Sequence, residues 1–161
     1  MDKCLKVFTL IFYAAFFAPE ATAQMSEPGP ALNMLQQMQG AWRSDCHAMV
    51  SGSRYREIRL QVNFTHFIVT AEEFAEPDCR IMRTTHKARY RFILRDPFVT
   101  LKNIEVFAID FLPEELSPEI APLHPLNIIK YESGTLRLGS PPAVETPARL
   151  QLLDHELIFS R

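Results

Sequence analysis

Hydrophobic and polar positions change their period once along the chain, near Gly40. Before this residue, Leu32, Leu35 and Met38 recur at a spacing of three within Pro30–Gln39, which predicts one or two helical turns with one apolar face. Gly40 suits the end of that helix because glycine tolerates the left-handed conformation that is common at a helix C-terminus. Beyond Gly40, apolar and polar residues alternate as they do in half-buried strands.

Beyond Gly40, the sequence predicts strands separated by turns. In Arg54–Val62, the alternate residues Ile58, Leu60 and Val62 predict one inward face. The segment Arg80–Leu94 contains no Gly or Pro and predicts one long strand with an apolar face and a basic face. The remaining predicted strands are 67–74, one or two strands within 98–111, 126–131, 135–138 and 150–159. They are joined by turns at 63–66, 76–78, 96–97 and 132–134 and by a loop at 139–147.

Four prolines fall between Pro113 and Pro125. In this segment, Pro113-Glu114-Glu115 and Ser117-Pro118-Glu119 resemble the first turns of short helices. The whole order is seven or eight strands joined by short turns, with no internal repeat and no strand–helix alternation. We therefore expect an all-β fold, an antiparallel up-and-down β-barrel of about eight strands after a short N-terminal helical turn, because closure removes exposed strand edges.

The first 23 residues carry the pattern of a secretory signal peptide. Lys3 and Lys6 precede the 11-residue apolar run Val7–Phe17, and Ala21-Thr22-Ala23 offers small residues at a cleavage site. The run is shorter than the roughly 20 apolar residues of a membrane-spanning helix. We expect an exported protein without a transmembrane segment, periplasmic in a bacterium and secreted elsewhere. The expected divisions are 1–23 signal peptide, 24–39 linker and short helix, and 40–161 β-barrel domain.

Composition excludes several classes of protein. The 161 residues carry a net charge of −2, with 47% hydrophobic and 22% charged residues. These values exclude a collagen-like chain, a disordered chain and a nucleic-acid-binding protein driven by bulk positive charge. The small net charge hides an asymmetry, because residues 40–95 hold ten Lys and Arg against six Asp and Glu, whereas residues 96–161 hold five against ten.

The chain has three cysteines, of which Cys4 would leave with the signal peptide. The remaining Cys46 and Cys79 form an even pair, which favours a disulfide in an oxidising compartment. Closing their loop of 33 residues would stabilise the fold by about 3–4 kcal/mol. Two buried reduced thiols are the alternative. The spacing matches no metal site and implies no cofactor.

The sequence Gly40-Ala41-Trp42, directly after the helical turn and at the start of the first strand, resembles the G-x-W motif of the lipocalin and wider calycin families. The resemblance implies a barrel whose Trp packs across the closed end, beneath an Arg near the end of the last strand. Arg161 matches that Arg, and its guanidinium is expected to stack on the indole of Trp42. A disulfide from Cys46 to Cys79 would join the ends of the first and third strands. This placement is also similar to the disulfide pattern of small secreted lipocalin-like proteins.

An eight-stranded barrel leaves room for packed side chains or for one small ligand. The first hypothesis is therefore a non-enzymatic protein that holds a small apolar or amphipathic molecule in its cup, with Pro113–Pro125 over one mouth. The alternative is that the inward side chains simply fill the core. The expected interior residues are Phe74, Met82, His86, Tyr90, Phe92, Phe107 and Tyr131.

The second hypothesis is a filled barrel that acts through its surface as an inhibitor, a chaperone or an envelope-associated protein. The outer face of Arg80–Leu94 would present a basic stripe to an acidic protein, a glycan or lipid headgroups. Alternatively, the stripe is a solvated face or protects a sheet edge by its charge. Nucleic acid is not expected, because the chain is exported and the stripe lacks interleaved aromatic residues. The stripe consists of Arg83, Lys87, Arg89 and Arg91.

We do not expect an enzyme, because the five histidines have no regular spacing and neither G-x-S-x-G nor H-E-x-x-H occurs. His86 is interpreted as a core histidine and Asp110 as a structural hydrogen-bond acceptor. The sequon Asn63-Phe64-Thr65 predicts a glycosylation site only in a eukaryotic secretory pathway.

Overall fold

Antiparallel β-structure accounts for most of the residues that the structure describes, which confirms the all-β prediction. The computed structural model describes residues 29–49, 54–142, 144 and 146–161. The predicted signal peptide and the linker up to residue 28 lie outside the described residues. In the described residues, helix α1 spans Pro30–Met38 and the strands are β1 Gly40–Ser44, β2 His47–Ala48, β3 Tyr55–Val62, β4 His66–Phe74, β5 Met82–Val99, β6 Glu105–Glu115, β7 Leu126–Glu132, β8 Thr135–Gly139 and β9 Leu153–Ser160.

The described strands form one sheet in the order β1-β9-β8-β7-β6-β5-β4-β3-β2. Every pairing in it is antiparallel. β1 pairs with β3 through Gly40 to Arg43 and with β9 through Arg43 and Ser44. Because β1 contacts both strands, eight strands close into a ring, and β2 continues β1 along the other half of β3.

The helix buries part of the predicted face, together with Met34, which the prediction did not include. Met34 and Met38 are buried in the core and Leu35 is half-buried, whereas Leu32 is 46% exposed. Residues four apart lie nearly above one another on a helix of 3.6 residues per turn, while a spacing of three drifts around it. Met34 and Met38 therefore set the face that packs against β5 and β7. Gly40 follows the helix at φ +116°, a conformation that other residues rarely adopt.

β3 and β4 form the hairpin that the alternation predicts. Leu60 and Val62 are buried in the core. The turn is held by the side chain of Asn63, whose Oδ1 accepts hydrogen bonds from the backbone N–H of Thr65 at 3.0 Å and of His66 at 2.7 Å. Asn is favoured in turns because its side chain can replace a backbone acceptor in this way.

The prediction of a turn at Asp96-Pro97 is wrong, because β5 continues to Val99. The pairing of β5 with β6 shifts register just before Pro97. A proline offers no N–H to the ladder, and an irregularity of this kind is one of the few places in a sheet that tolerates it. The chain turns instead at 100–104, where the N–H of Thr100 donates to the carbonyl of Ile104 at 2.9 Å.

The two short helical turns predicted within 113–119 are also wrong. Pro113-Glu114-Glu115 belongs to β6, and the register against β5 shifts again beside Pro113. Ser117-Pro118-Glu119 lies in a turn closed by a hydrogen bond from Ile120 N–H to the carbonyl of Ser117 at 3.1 Å. Residues 116–125 then reach β7 without a helix or strand, and we call this segment the strap.

Aromatic side chains fill the middle of the ring. Phe67 packs edge-on against Phe92 and Phe111, with ring centroids 6.3 and 5.1 Å apart. Tyr90 lies 5.6 Å from Phe111 by the same measure. Because all four side chains are buried, this cluster occupies much of the ring's interior.

Trp42 joins the helix, the first strand and the last residue of the chain. It is 2% exposed, and its Nε1 donates to the carbonyl of Met38 at 2.9 Å. The guanidinium carbon of Arg161 lies 4.6 Å from the centroid of the Trp42 ring. The Nη2 of Arg161 also donates to the carbonyls of Gln37 and Gln39. The contact that the resemblance implies is therefore present, and it also ties the end of β9 to the helix.

Cys46 and Cys79 form the expected disulfide, with Cα atoms 6.0 Å apart. The bond joins the segment between β1 and β2 to the turn between β4 and β5. It therefore fixes the start of the sheet to a hairpin that is distant in sequence.

Candidate functional site

A cavity of about 200 Å³ lies between β3, β4, β8, β9 and the strap. Apolar side chains from these elements form most of its wall, and Ala71 on β4 provides a small inward residue there. The apolar lining residues include Ile58, Leu60, Val69, Ala71, Ile120, Leu123, Leu138, Leu150, Leu157 and Phe159.

The strap forms one side of this cavity. Ile120 is 9% exposed and belongs to the core cluster, so the strap is anchored by an apolar side chain. Its backbone is held by hydrogen bonds from Ser117 N–H to the carbonyl of Lys87 and from Leu123 N–H to the hydroxyl of Tyr90, at 3.2 and 3.1 Å. Burial raises the pKa of Tyr90, against the opposing effect of the hydrogen bond from Leu123.

Four polar side chains also line the cavity, and three of them are engaged by the backbone. The two ring nitrogens of His124 contact the carbonyls of Leu126 and Thr146. Asn127 Oδ1 accepts hydrogen bonds from the N–H groups of Ile128 and Gly139, both at 2.8 Å.

Asp154 is the third engaged side chain, and its Oδ1 accepts from the N–H groups of Glu156 and Leu157. The fourth side chain, Arg56, is different. Its Nη2 donates to Glu73 Oε1 at 2.7 Å, but its Nε is buried with no hydrogen-bond acceptor in the described part of the chain.

Arg56 belongs to a charged cluster on the inner face of β3, β4 and β5. Glu73 is 5% exposed and accepts hydrogen bonds from Arg56 and from Arg54, the latter at 3.2 Å. The hydrogen bond from Arg56 lowers the pKa of Glu73 most, burial opposes this, and the hydrogen bond from Arg54 lowers it further. His86 lies 3.9 Å from Glu73 and 3.5 Å from Glu119 of the strap.

Glu119 also accepts a hydrogen bond from the hydroxyl of Ser117. That bond is the main cause of the lowered pKa of Glu119. The contact between Glu119 and His86 connects the strap to the charged cluster beside the cavity.

A wider groove of about 740 Å³ lies on the other side of the strap. It shares Pro122, Leu123, His124 and Pro141 with the cavity, so the two spaces adjoin. Proline dominates this surface, together with Tyr90 and Phe111. The groove prolines are Pro113, Pro122, Pro125, Pro141, Pro142 and Pro147.

The seven predicted interior residues do not line the 200 Å³ cavity. Tyr90 lines the wider groove, and Phe74 and Phe92 are packed in the core at 4% and 8% exposure. Met82 is 57% exposed and is the first residue of β5, which pairs with β4 there but with β6 only from Arg89 onward. The others, Phe107, Tyr131 and His86, are half-buried.

The basic stripe lies on the outer face of β5, with all four side chains exposed as predicted. Glu114 on the neighbouring β6 neutralises part of it, contacting Arg89 at 3.2 Å and Arg91 at 3.0 Å. Among the described residues, Lys87 and Arg83 form no ion pair. Half of the predicted stripe is therefore already paired within the molecule.

Asp110 acts as the structural acceptor that the sequence indicates. It forms ion pairs with Arg149 and with Arg95, the latter at 2.9 Å. Burial raises the pKa of Asp110, but the hydrogen bonds from Arg149 and Arg95 together outweigh it, so that the pKa is lowered. Arg149 also donates to the carbonyl of Asn127 at 2.7 Å, which binds the loop before β9 to β7.

Sequence reasoning missed Arg56 and Ala71 as cavity residues. The alternation of β3 and β4 contains the signal, because Arg56 stands in register with Glu73 and Ile58 with Ala71 on the inward face. A charged pair and a small residue at inward positions indicate space and polarity within an otherwise apolar interior.

Among the described residues, no helix has the length and apolar character needed to cross a membrane. The same residues contain no group of three His, Cys, Asp or Glu side chains placed to hold a metal ion. Comparison with known proteins gives no match to a protein family, to a characterised protein or to a solved structure.

Proposed function

We propose that this chain is an exported, non-enzymatic binding protein that holds one small apolar or amphipathic molecule inside its ring of strands. The cavity of about 200 Å³ beneath the strap is the observation that carries this proposal. Its wall is predominantly apolar, and three of its four polar side chains are engaged by backbone groups. Apolar pockets with a few placed polar groups are the usual form of small-molecule sites.

The volume sets the size of the occupant. An apolar cavity of roughly 150 Å³ can hold a benzene molecule. The cavity here is somewhat larger, at about 200 Å³. We therefore expect an occupant with one ring, or with a chain of about six or seven carbon atoms.

A lipocalin-like barrel is the form of the ring that we infer. The closed order of eight strands, the start of β1 at Gly40-Ala41-Trp42 and the stacking of Arg161 on Trp42 support it. The Cys46–Cys79 disulfide is compatible with an oxidising compartment and so with export.

Binding of 1-hexanol, followed by ¹⁵N–¹H NMR of the full chain purified with its disulfide formed, tests the proposal. We expect saturable shifts at residues around the cavity. Ala71→Leu adds three carbon atoms to the cavity wall and should lower the affinity at least tenfold. Thr70→Leu is the matched control, because Thr70 precedes Ala71 on β4, does not line the cavity and should change the affinity less than twofold.

Loss of binding in both variants, or no binding of 1-hexanol or hexanoate by the unsubstituted chain, would refute a ligand cavity. A fold check by circular dichroism accompanies each variant, because Ala71 is 2% exposed and the larger side chain must be accommodated.

A second candidate is the surface function of a filled ring. The proline-lined groove beside the strap favours it, since its volume of about 740 Å³ is larger than that of the cavity, which it adjoins. Co-purification of a protein whose binding is lost in Pro142→Arg but retained in Ala71→Leu would select this function. Pro142 lines the groove and does not line the cavity.

A further inference from the structure

We propose that the cavity selects an anion, and that Arg56 holds the carboxylate of a short monocarboxylic acid whose hydrocarbon part fills the apolar space. This inference rests on the proposed function, because it names the chemical class of the occupant of the same cavity.

Among the described residues that line the cavity, Arg56 carries the buried side-chain nitrogen that has no hydrogen-bond partner. His124, Asn127 and Asp154 each meet backbone partners inside the fold. Arg56 carries five N–H donors, as every guanidinium does. Its hydrogen bond to an acceptor in the described residues is that from Nη2 to Glu73. An acceptor supplied by a ligand would therefore meet an unsatisfied buried donor at Arg56.

The charge around Arg56 favours an anion over a cation. Arg54 and Arg56 share one carboxylate, Glu73, so this trio keeps one positive charge. The two other carboxylates nearby have partners of their own, since Glu119 contacts Ser117 and His86, and Asp154 accepts from two backbone N–H groups. The Arg56 side chain is 26% exposed, whereas that of Glu73 is 6% exposed. A ligand therefore reaches the guanidinium more readily than the carboxylate that partly neutralises it. A guanidinium binds a carboxylate through parallel N–H bonds, which a neutral hydroxyl cannot match.

The position of Arg56 divides the site into a polar end and an apolar end. Arg56 and Ile58 lie on the same face of β3, and the wall continues through Leu60 to Phe159 of β9. From Arg56 to Leu60 is four residues, or about 13 Å at the rise of a β-strand. A chain of six carbon atoms with a terminal carboxylate fits along that length.

The experiment compares hexanoate, 1-hexanol and hexylamine, which share the same six-carbon chain and differ in the head group. Dissociation constants are measured by NMR titration of the full chain at pH 7.5. We expect hexanoate to bind at least tenfold more tightly than 1-hexanol, and hexylamine to bind most weakly. The side-chain Nε–H resonance of Arg56 should shift with hexanoate and remain nearly fixed with 1-hexanol.

Variants locate the effect. Arg56→Gln should weaken hexanoate binding by about 10- to 100-fold, the range expected for a hydrogen bond to a charged group. The same change should alter 1-hexanol binding less than twofold. Arg54→Gln is the matched control, because Arg54 also binds Glu73 but does not line the cavity, and it should change the hexanoate affinity less than threefold. Arg56→Lys retains the positive charge, and it replaces Arg56→Gln in the titration if Arg56→Gln fails to fold.

The outcomes separate this inference from the proposed function. Equal affinities for hexanoate and 1-hexanol would overturn the role of Arg56 and leave the ligand cavity intact. Equal losses in Arg54→Gln and Arg56→Gln would assign the preference to the general charge of the cluster and contradict direct contact. Failure of all three compounds to bind would refute the proposed function itself.

Discussion

Replacing Gly139 by alanine should destabilise this fold through steric crowding. A Cβ atom at this position would lie 2.7 Å from Asn127 Oδ1, 2.8 Å from Leu150 Cδ1 and 3.0 Å from Ile128 Cγ1. Non-bonded carbon atoms ordinarily approach to about 3.5–4.0 Å. All three neighbours would therefore have to move to admit one methyl group.

The size of the effect follows from what those neighbours do. Asn127 Oδ1 accepts hydrogen bonds from Ile128 and from Gly139 itself, and each such bond contributes about 0.5–1.5 kcal/mol. Overpacking of a buried site costs about 1–3 kcal/mol. The reduced freedom of an unfolded chain with alanine offsets about 0.4–1 kcal/mol. We expect the free energy of unfolding to fall by about 2–4 kcal/mol.

Urea unfolding followed by the fluorescence of Trp42, the single tryptophan, measures this change. The matched control is Gly29→Ala, because a Cβ at Gly29 has no atom within 4 Å and its φ of −59° suits any residue. We expect the control to lie within about 0.5 kcal/mol of the unsubstituted chain. Equal midpoints for the two variants, with unchanged slopes, would refute the close packing around Gly139.

Three further predictions concern the stability of the fold. Reduction of Cys46–Cys79 should lower the free energy of unfolding by about 3–4 kcal/mol, and a Cys46→Ala/Cys79→Ala variant should show no response to reductant in the same urea assay. Arg161→Gln should lower the free energy of unfolding by about 1–2 kcal/mol, because the stacking of the guanidinium on Trp42 is lost. An unchanged midpoint of thermal unfolding would contradict that contact. Because the pKa of Glu73 is lowered from its ordinary value of 4.5, its ionised form stabilises the fold at pH values above 4.5. The difference in the free energy of unfolding between the unsubstituted chain and Glu73→Gln should therefore shrink as the pH falls below 4.5. A constant difference between pH 7 and pH 3 would exclude the ion pair as its cause.

The strands and the disulfide were predictable from local patterns. Alternation over β3 and β4 and the turn residues near Asn63 determine which side chains face inward, because the period of a strand is two. The pairing of Cys46 with Cys79 follows from their being the two cysteines beyond the predicted signal peptide.

The prediction is wrong at two prolines that lie beside shifts in the register of the sheet. By local pattern Pro97 predicts a turn and Pro113 a helix start, yet both lie beside shifts in the register of β5 with β6. Such a shift depends on the partner strand, which local sequence does not identify. The same local pattern therefore fits a turn, a helix start or a bulge.

The cavity was not predictable, because space is what remains after all side chains are packed. The aromatic residues expected to line a cup, such as Phe92, instead pack against Phe67 in the core. The wall is built from the small residue Ala71, the strap and the inward Arg56, which lie far apart in sequence. The pairing of β3 with β4 brings Arg56 and Ala71 to one wall, and packing of Ile120 in the core adds the strap.

Native mass spectrometry of the protein purified from its own source tests the central claim most directly. We predict one small molecule bound per chain, which is absent when Ala71→Leu narrows the cavity and is displaced by added hexanoate. The same molecule bound equally by Ala71→Leu would contradict occupation of the cavity. A chain that carries no molecule and takes up neither hexanoate nor 1-hexanol would contradict a binding function for the ring's interior.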